Sequence, residues 1–269
     1  MIPLKKGIMI NMEFKKIIIL LKKGCEIDSA TIDKIFHMSN GAQIKILAFD
    51  ETRKEEFDGF DLVITIGGDG TFVKAGNLIE GAFIIGINSK PDKSEGALTE
   101  MTIKEIDKLK EVFDGSFEIF KRQRAKVKLN GRVLDEHALN EVYVGAISQF
   151  HSSRYVIKFR GHEEEHRSSG VIISTGTGSP AWFYSAGGEV FHHGEEKLSF
   201  VVREPYYGKR VFVPKIIRGD IKKGEKLIIE SKRDSGGIIA INNSVYDFNN
   251  GDIAEIGLSD KPLKVIKLK

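Results

Sequence analysis

From Phe14 to Gly115 the chain alternates short apolar runs with stretches of helical periodicity, and this alternation constrains the fold more than any other feature. The apolar runs have the length and β-branched content of buried strands, and they occupy residues 17–21, 44–49, 62–66 and 83–87. Helical stripes of apolar residues alternate with them, and a last stripe begins at Thr102. This succession predicts an α/β domain with a mostly parallel sheet covered by helices.

After Gly115 the pattern changes to short strand-like runs separated by turn signals. The dipeptide Asn130-Gly131 is the strongest of these signals, because both residue types tolerate the positive φ angles of a tight hairpin turn. No low-complexity linker separates the two halves. The sequence therefore predicts the α/β domain over residues 14–115 and a β-rich, β-sandwich-like domain of mostly antiparallel sheet over residues 116–251.

Composition restricts the partners and the compartment. The chain has 269 residues, a formal net charge of +3 and a single cysteine, Cys25. A charge this small does not favour a nucleic-acid partner, and one cysteine cannot form an intramolecular disulfide. No apolar run is long enough to cross a bilayer, so we expect a cytoplasmic protein with no membrane partner. Residues 1–11 lack the cleavage site of a secretory signal, and Met9 and Met12 are alternative starting points.

The most informative motif is the run Gly67, Gly68, Asp69, Gly70 and Thr71, which follows the apolar run 62–66 and precedes a helical stripe. Glycines let the backbone approach a ligand closely, and the free N–H groups of a helix start attract anions such as phosphate. A carboxylate in that cradle suits a cation or a hydroxyl proton, which indicates phosphoryl transfer to an alcohol with Asp69 as the base. The alternative is that these residues form only a turn. The motif is not a Walker loop, because Gly70 stands where a lysine would precede Thr71.

Two further polar clusters lie in the second half of the chain. Asn140-Glu141 stands at the edge of an apolar strand, where a carboxylate beside an amide can hold ribose hydroxyls and a base edge. The alternative is a strand with two solvated polar residues. A second glycine and hydroxyl cluster runs from Ser174 to Ser179 and leads through Pro180 into a helix-like stretch. This cluster also fits a phosphate or a nucleotide, and two such loops in one chain favour the nucleotide interpretation.

The run from His162 to His166 matches the zinc-protease pattern H-E-x-x-H. That motif requires a sustained helix with a buried apolar face, whereas Gly161 and Gly170 bracket a short run without an apolar residue. The adjacent pair His192-His193 is a poor source of a third ligand, because neighbours on a strand point to opposite faces. We therefore interpret the run as a solvated charged turn and predict no metal ligands in the chain.

In this order the motifs resemble those of the NAD kinase family, whose signatures are a G-G-D-G-T loop, an N-E pair and a T-x-T-G-S-x-A loop followed by an aromatic residue. They are residues 67–71, 140–141 and 175–182 here. Residues 86–88 and 94–96 make the chain most similar to the branch typified by the animal mitochondrial NAD kinase. The resemblance extends from Phe14 to the C-terminus, whereas G-G-D-G-T alone also occurs in lipid kinases and, loosely, in phosphofructokinases.

The resemblance implies an enzyme that transfers the terminal phosphoryl of ATP, with Mg²⁺ or another divalent cation, to the adenosine ribose 2′-hydroxyl of NAD and so forms NADP. It also implies that the final segment, about 252–269, returns to the first domain, and that the protein is a homodimer or homotetramer. Asp69 would engage or deprotonate the hydroxyl, while Asn140 and Glu141 would hold the adenosine. The other residues assigned to substrate binding are Gly67, Gly68, Gly70, Thr71, Arg167, Ser169, Thr175, Thr177, Gly178, Ser179, Ala181, Trp182 and Ser185.

Several positions depart from the family pattern. Ser169 stands where many members have an aspartate that faces the nicotinamide end, and Trp182 replaces the usual tyrosine. Asn242-Asn243-Ser244 replaces an Ile-Asp-Gly turn. The preference for NAD or NADH and the identity of the phosphoryl donor therefore stay open. So do two other functions: a dinucleotide sensor without catalysis, and a lipid or sugar kinase that shares the glycine loop but would not explain residues 140–141.

Overall fold

The computed structural model describes residues 13–25, 27–49, 52–148, 150–211 and 213–269, so the alternative starting points at Met9 and Met12 lie outside the described residues. The chain divides into two compact units. The first comprises Met1–Lys121 together with Leu263–Lys269, and the second comprises Arg122–Pro262. Each unit is built around its own hydrophobic core.

The first unit is an α/β fold with a seven-stranded sheet. Its elements are β1 Lys16–Leu21, α1 Ser29–Met38, β2 Gln43–Ala48, a 3-10 turn Lys54–Phe57, β3 Leu62–Gly67, α2 Asp69–Leu78, β4 Phe83–Asn88, β5 Met101–Thr102, a 3-10 helix Ile103–Lys108, α3 Leu109–Phe113, β6 Phe117–Arg122 and, counted along the chain, β19 Leu263–Leu268. The strand order is β2-β1-β3-β4-β19-β6, with β5 beside β4. In the parts of the chain described, no helix is both long enough and apolar enough to span a bilayer.

Strands β1 to β4 and β19 run parallel, which confirms the predicted sheet. Every residue of β3 and β4 is buried, as expected where helices cover both faces of a parallel sheet. The chain leaves β1 toward β2 on one side and leaves β3 toward β4 on the other. The carboxyl ends of β1 and β3 therefore flank a topological switch point, the position at which open α/β sheets usually bind ligands.

The second unit consists of two six-stranded antiparallel sheets. Its strands are β7 Ala125–Leu129, β8 Arg132–Ala138, β9 Glu141–Ala146, β10 Ser153–Phe159, β11 His162–Ser168, β12 Val171–Ser174, β13 Lys197–Val202, β14 Arg218–Lys222, β15 Lys226–Ser231, β16 Gly237–Ile241, β17 Ser244–Asp247 and β18 Ile253–Leu258. One sheet has the order β11-β10-β15-β18-β7-β8 and the other β14-β13-β12-β9-β16-β17. Alternate residues of both sheets meet in one core, which confirms the predicted sandwich-like architecture.

The unit boundaries lie some residues away from the expected ones. The segment that returns to the first unit begins at Leu263, because β18 pairs with β15 and β7 of the second unit and buries Ala254 and Ile256 there. At the other boundary, β6 belongs to the first unit rather than to the second. Its first residue, Phe117, packs against Phe14 with ring centroids 5.9 Å apart.

The helix expected from Thr102 is divided in two. Residues Ile103–Lys108 form a 3-10 helix, and the α-helix covers only Leu109–Phe113. Thr102 caps this segment, since its N–H and hydroxyl both donate to the Glu105 carboxylate. Glu105 itself has non-helical backbone angles of φ −104° and ψ 20°, which interrupt the helix.

Candidate functional site

The glycine loop connects a fully buried strand to a helix in the first unit. Strand β3 ends at Gly67, Gly68 is the N-cap in an extended conformation, and α2 begins at Asp69. Because the cap residue is glycine, no capping side chain covers the N–H groups of the first helical turn. The loop lies at the carboxyl edge of the sheet, beside the switch point between β1 and β3.

Close packing explains why both Gly67 and Gly68 are glycine. A Cβ atom on Gly67 would lie 2.2 Å from the Thr71 hydroxyl oxygen, and one on Gly68 would lie 2.8 Å from the Ser94 hydroxyl oxygen. Real side chains do not approach this closely, so any larger residue would displace Thr71 or Ser94. Gly70 is exposed and has no such neighbour, so its lack of a side chain leaves the first turn of α2 open.

The Asp69 carboxylate is fixed by backbone amides from a different segment. The N–H of Leu98 donates to Oδ1 at 2.8 Å, and the N–H of Ala97 donates to Oδ2 at 3.2 Å. A carboxylate has about four acceptor positions, so these two bonds orient the group and leave capacity for a further donor. Asp69 is half-buried and thus stays accessible.

The segment that holds Asp69 is itself shaped by Asn88, the last residue of β4. The Asn88 amide donates to the Ser94 carbonyl at 3.0 Å, and its oxygen accepts the Lys90 N–H at 3.0 Å. Gly96 has φ +64° and packs against the Asn88 and Thr99 side chains. Sequence reasoning noticed residues 86–88 and 94–96 only as part of a resemblance and missed that this segment positions Asp69, because backbone donors leave no mark in a sequence.

In the second unit, Asn140 and Glu141 lie at the start of β9, next to the end of β12. Glu141 pairs in register with Ser174, the last residue of β12. Its Oε2 atom is buried, and no described group donates a hydrogen bond to it. Burial raises the pKa of the Glu141 carboxyl, since the ionised form loses hydration there. A buried carboxylate oxygen without a donor is an uncommon arrangement in a folded protein and fits a ligand that brings its own hydroxyl groups.

The second glycine loop packs directly on Asn140. A Cβ atom on Gly178 would lie 2.6 Å from the carbonyl carbon and oxygen of Asn140, so only glycine permits this approach. The Thr175 N–H donates to the same carbonyl at 2.9 Å. The N-E pair and the loop that follows β12 are therefore brought together by main-chain contacts, as the interpretation of a shared nucleotide site requires.

Two hydroxyls of this loop organise it from inside. The Thr175 side chain is fully buried, donates to the Leu139 carbonyl and accepts the N–H groups of Thr177 and Gly178. Ser179 is also fully buried, and its hydroxyl bonds to the backbone of Gly176 and Phe191. The structure gives both residues partners within the protein, so their contribution to any ligand site is to shape the loop.

Other residues of this cluster are more accessible. Thr177 is half-buried, and its hydroxyl accepts a hydrogen bond from the Arg122 guanidinium at 3.3 Å. The loop continues into a single π-type turn, Ser179–Phe183, in place of the expected regular helix. Ala181 is exposed and non-helical, with φ −92° and ψ −125°, and the exposed Ser185 hydroxyl bonds back to its carbonyl at 3.4 Å.

Trp182 is half-buried on the outer face of the sheet that contains β9 and β12. Its ring lies 5.3 Å from the ring of Tyr143, and the Arg203 guanidinium lies 5.1 Å from the indole centroid. Tyr143 extends across two glycines, since a Cβ on Gly145 or Gly170 would overlap its ring. The indole therefore has both a packing role and an accessible part, and its place beside a bound base stays a prediction.

Arg167 and Ser169 are held by hydrogen bonds of their backbone groups, Ser169 near Tyr143 and Arg203 and Arg167 near Tyr206. The Ser169 carbonyl accepts the Tyr143 hydroxyl at 2.9 Å, and its N–H donates to the Arg203 carbonyl at 3.0 Å. The Arg167 carbonyl accepts the Tyr206 N–H at 2.8 Å. Both residues are half-buried, and Ser169 brings a hydroxyl instead of a carboxylate to this part of the unit.

The run from His162 to His166 is a β-strand, so its interpretation as a turn was wrong. The strand alternates outward carboxylates with an inward His166, which is buried and stacks on the Tyr155 ring at 5.5 Å. His166 Nε2 bonds to the Glu164 carboxylate at 2.8 Å, and burial lowers the pKa of this imidazole. A strand cannot place His162 and His166 together as the helical zinc motif does. Throughout the described ranges, no three His, Cys, Asp or Glu side chains form a group that could hold a metal ion.

Known proteins resemble this chain over most of its length. A family profile described as the ATP-NAD kinase N-terminal domain matches residues 22–117. A probable NADH kinase of Oryza sativa subsp. japonica is 31% identical over 231 residues, which are 77% of this chain and 70% of that protein. An NAD kinase of Methanosarcina mazei is 30% identical over 237 residues, 84% of this chain and 77% of that protein.

Two solved structures share the fold. An NAD kinase from Archaeoglobus fulgidus in complex with ATP has a TM-score of 0.69 and 23% identity, and the match covers 94% of this chain and 93% of that one. Yeast NADH kinase complexed with NADH has a TM-score of 0.75 and 16% identity, with coverage of 95% and 84%. Similarity to the animal mitochondrial branch stays a prediction. Sequence identity over most of the length and a shared two-unit fold agree with the order of the motifs, and the chain belongs to the NAD kinase family.

Proposed function

We propose that this protein is an NAD kinase that transfers the terminal phosphoryl of ATP to the adenosine ribose 2′-hydroxyl of NAD, with Asp69 as the general base. The observation that carries the proposal is the Asp69 carboxylate, held by the amides of Ala97 and Leu98 in the first turn of a helix whose start is uncovered. Such a carboxylate is oriented before any ligand arrives.

In the proposed step, the 2′-oxygen attacks the terminal phosphorus while the bond from that phosphorus to the oxygen of the β-phosphate breaks. The hydroxyl proton passes to the Asp69 carboxylate, and ADP and NADP are the products. Backbone N–H groups at the start of α2 suit the phosphate oxygens, where negative charge accumulates. The divalent cation belongs to the donor in this proposal, because Mg²⁺ commonly binds substrate phosphates together with only one or two carboxylates.

The second unit supports a dinucleotide as acceptor. The unpartnered Glu141 oxygen can accept hydrogen bonds from ribose hydroxyls, and the adjacent Asn140 amide offers both a donor and an acceptor. The loop with Thr177 and Gly178 lies directly on this pair. A lipid or sugar kinase would have no use for these groups. The acceptor can be NAD or NADH, since Ser169 places no fixed charge at its position.

The experiment is an assay of the purified protein for 2′-phosphorylated dinucleotide, with ATP, GTP or polyphosphate as donor and NAD or NADH as acceptor. Asp69→Asn should lower kcat by about two to four orders of magnitude, the usual range for a lost general base, while NAD affinity changes little. The exposed Asp92, in the segment that holds Asp69, gives the matched control Asp92→Asn. A folded wild-type protein that binds NAD but forms no product with any donor would instead be a dinucleotide sensor. Homo-oligomeric assembly and a cytoplasmic location stay predictions.

A further inference from the structure

Lys22 follows the last residue of β1 and lies beside the glycine loop. Strands β1 and β3 are parallel neighbours with Leu21 in register with Ile66, and the Lys22 N–H donates to the Ile66 carbonyl at 3.0 Å. Lys22, the first residue after β1, thus lies beside Gly67, the last residue of β3, on the same edge of the sheet. This edge is the switch point between β1 and β3, where the chain turns away in opposite directions.

The Lys22 side chain starts on the side of the sheet toward which a side chain at Gly67 would point. A Cβ atom on Gly67 would lie 3.2 Å from the Lys22 Cβ and 2.2 Å from the Thr71 hydroxyl oxygen. The stem of Lys22 and the hydroxyl of Thr71 therefore both pack close to Gly67, beside the first turn of α2. Thr71 is only 4% exposed, and no hydrogen bond joins its hydroxyl to another described group. The hydroxyl oxygen is not fully enclosed, so a ligand atom can reach it at this edge of the sheet.

The Lys22 ammonium group can interact with a ligand at this edge of the sheet. Its side chain is exposed, and no described carboxylate forms an ion pair with it. Asp69 starts the helix opposite, but the amides of Ala97 and Leu98 already engage both of its oxygens. A polyphosphate that approached α2 would meet this negative carboxylate, so a nearby cation is needed to offset the repulsion.

We propose that the Lys22 ammonium, together with the Thr71 hydroxyl, binds the terminal phosphates of the phosphoryl donor beside the first turn of α2. The proposal rests on the proposed kinase function and adds a residue that the glycine motif does not contain. In the Walker loop a lysine within the loop binds the β- and γ-phosphates. Here Gly70 occupies that position, and Lys22 supplies the cation from the end of the neighbouring strand. The recognised chemistry is a chain of phosphates, which ATP and inorganic polyphosphate share.

The test compares Lys22→Ala and Lys22→Arg with Lys15→Ala. Lys15 is a fair control, because it lies just before the opposite end of β1, is 76% exposed and approaches Glu13 only at 3.9 Å. Loss of one charge-assisted contact should lower kcat/KM for ATP about 10- to 100-fold in Lys22→Ala, with the KM for NAD nearly unchanged. Lys22→Arg should recover most of the loss, since it keeps the charge, and Lys15→Ala should behave as the wild type.

Calorimetry with ATP and with inorganic tripolyphosphate, in the absence of NAD, gives a readout that does not depend on turnover. Equal loss of affinity for both compounds in Lys22→Ala supports binding through phosphate, and loss for ATP alone overturns it. Wild-type kinetics and wild-type ATP affinity in Lys22→Ala also overturn the role of Lys22, while the kinase proposal survives. A lower melting temperature in Lys22→Ala that Lys22→Arg does not restore would make the residue structural. If the wild type binds ATP but forms no NADP, the kinase proposal fails by itself.

Discussion

The buried hydroxyl of Thr175 is the most informative position at which to test how the second glycine loop is held. Thr175→Val keeps the shape of the side chain but removes the hydroxyl, and the polar difference makes this swap far from neutral. In the wild type that hydroxyl donates to the Leu139 carbonyl and accepts the N–H groups of Thr177 and Gly178, at 3.1 and 3.2 Å. The valine leaves all of these backbone groups without that partner.

The expected cost follows from these bonds. A buried donor or acceptor without a partner costs about 1–3 kcal/mol, and the two amides of Thr177 and Gly178 share one acceptor, so the total should be about 2–4 kcal/mol. Thr175→Ser keeps the hydroxyl and loses one methyl group, which should cost about 1 kcal/mol. The loop lies on Asn140 with no spare space at Gly178. A loosened loop should therefore also weaken NAD binding in the valine variant.

Urea denaturation of the three proteins gives the free energies of unfolding, and calorimetry gives the NAD affinities. We expect the serine variant to stay close to the wild type in both and the valine variant to fall in both. Equal losses for serine and valine would mean that the methyl group matters and the hydroxyl does not. A valine variant as stable as the wild type would refute the role of Thr175 as the organiser of the loop.

Three further predictions use other residues. Glu141→Gln should weaken NAD binding by about 1.5–3 kcal/mol, because hydrogen bonds from ribose hydroxyls to a charged carboxylate are lost. Calorimetry measures the loss, and an unchanged affinity would show that Glu141 does not hold the ligand. Burial lowers the pKa of His166, so the unfolded chain binds the proton more tightly and stability falls as the pH drops below the ordinary value of 6.5. His166→Gln should flatten this dependence in pH-dependent denaturation, and equal slopes would contradict it. Trp182 is the single tryptophan, so the intrinsic fluorescence of the protein reports on this position. Added NAD should change the emission in a saturable way, with a midpoint equal to the binding constant from calorimetry. An unchanged emission, together with a Trp182→Ala variant that is destabilised but binds NAD normally, would mean that the residue belongs to the core.

The fold could be predicted from the sequence wherever a regular spacing of apolar residues marks the strands and helices. The fully buried β3 and β4 are predicted directly as parallel strands. Gly67 and Gly68 mark the end of β3, where a larger residue would displace Thr71 or Ser94. The strand His162–Ser168 was missed because its inward residue is a histidine, which becomes tolerable inside only through its bond to Glu164 and its stacking on Tyr155. A pairing of this kind depends on tertiary contacts and leaves no hydrophobic signal.

The candidate site was predictable as a set of residues but not as a set of roles. Thr175 and Thr177 are the same residue type two positions apart, yet one hydroxyl points into the loop and the other is accessible. The path of the backbone alone determines which of the two hydroxyls points into the loop. The orientation of Asp69 depends on the amides of Ala97 and Leu98, which any residue except proline could provide. Side-chain identity therefore indicates the candidate site, whereas the orientation of its groups depends on main-chain contacts.

The position of β19 in the first sheet has a consequence for synthesis on the ribosome. Lys264 pairs with Phe83 and Val265 with Ile84, so this sheet stays incomplete until β19 has been made, and the first residues of β4 lack this neighbour meanwhile. The second unit is continuous and can fold before that. Its folding pairs Ala125 with Leu258, and the Ser259 N–H bonds to the Arg124 carbonyl at 2.8 Å. After this pairing, β19 follows closely on a residue that is already fixed next to the segment after β6. The loop that must close when β19 joins the first sheet is therefore short, and the entropic cost of completing the sheet is low.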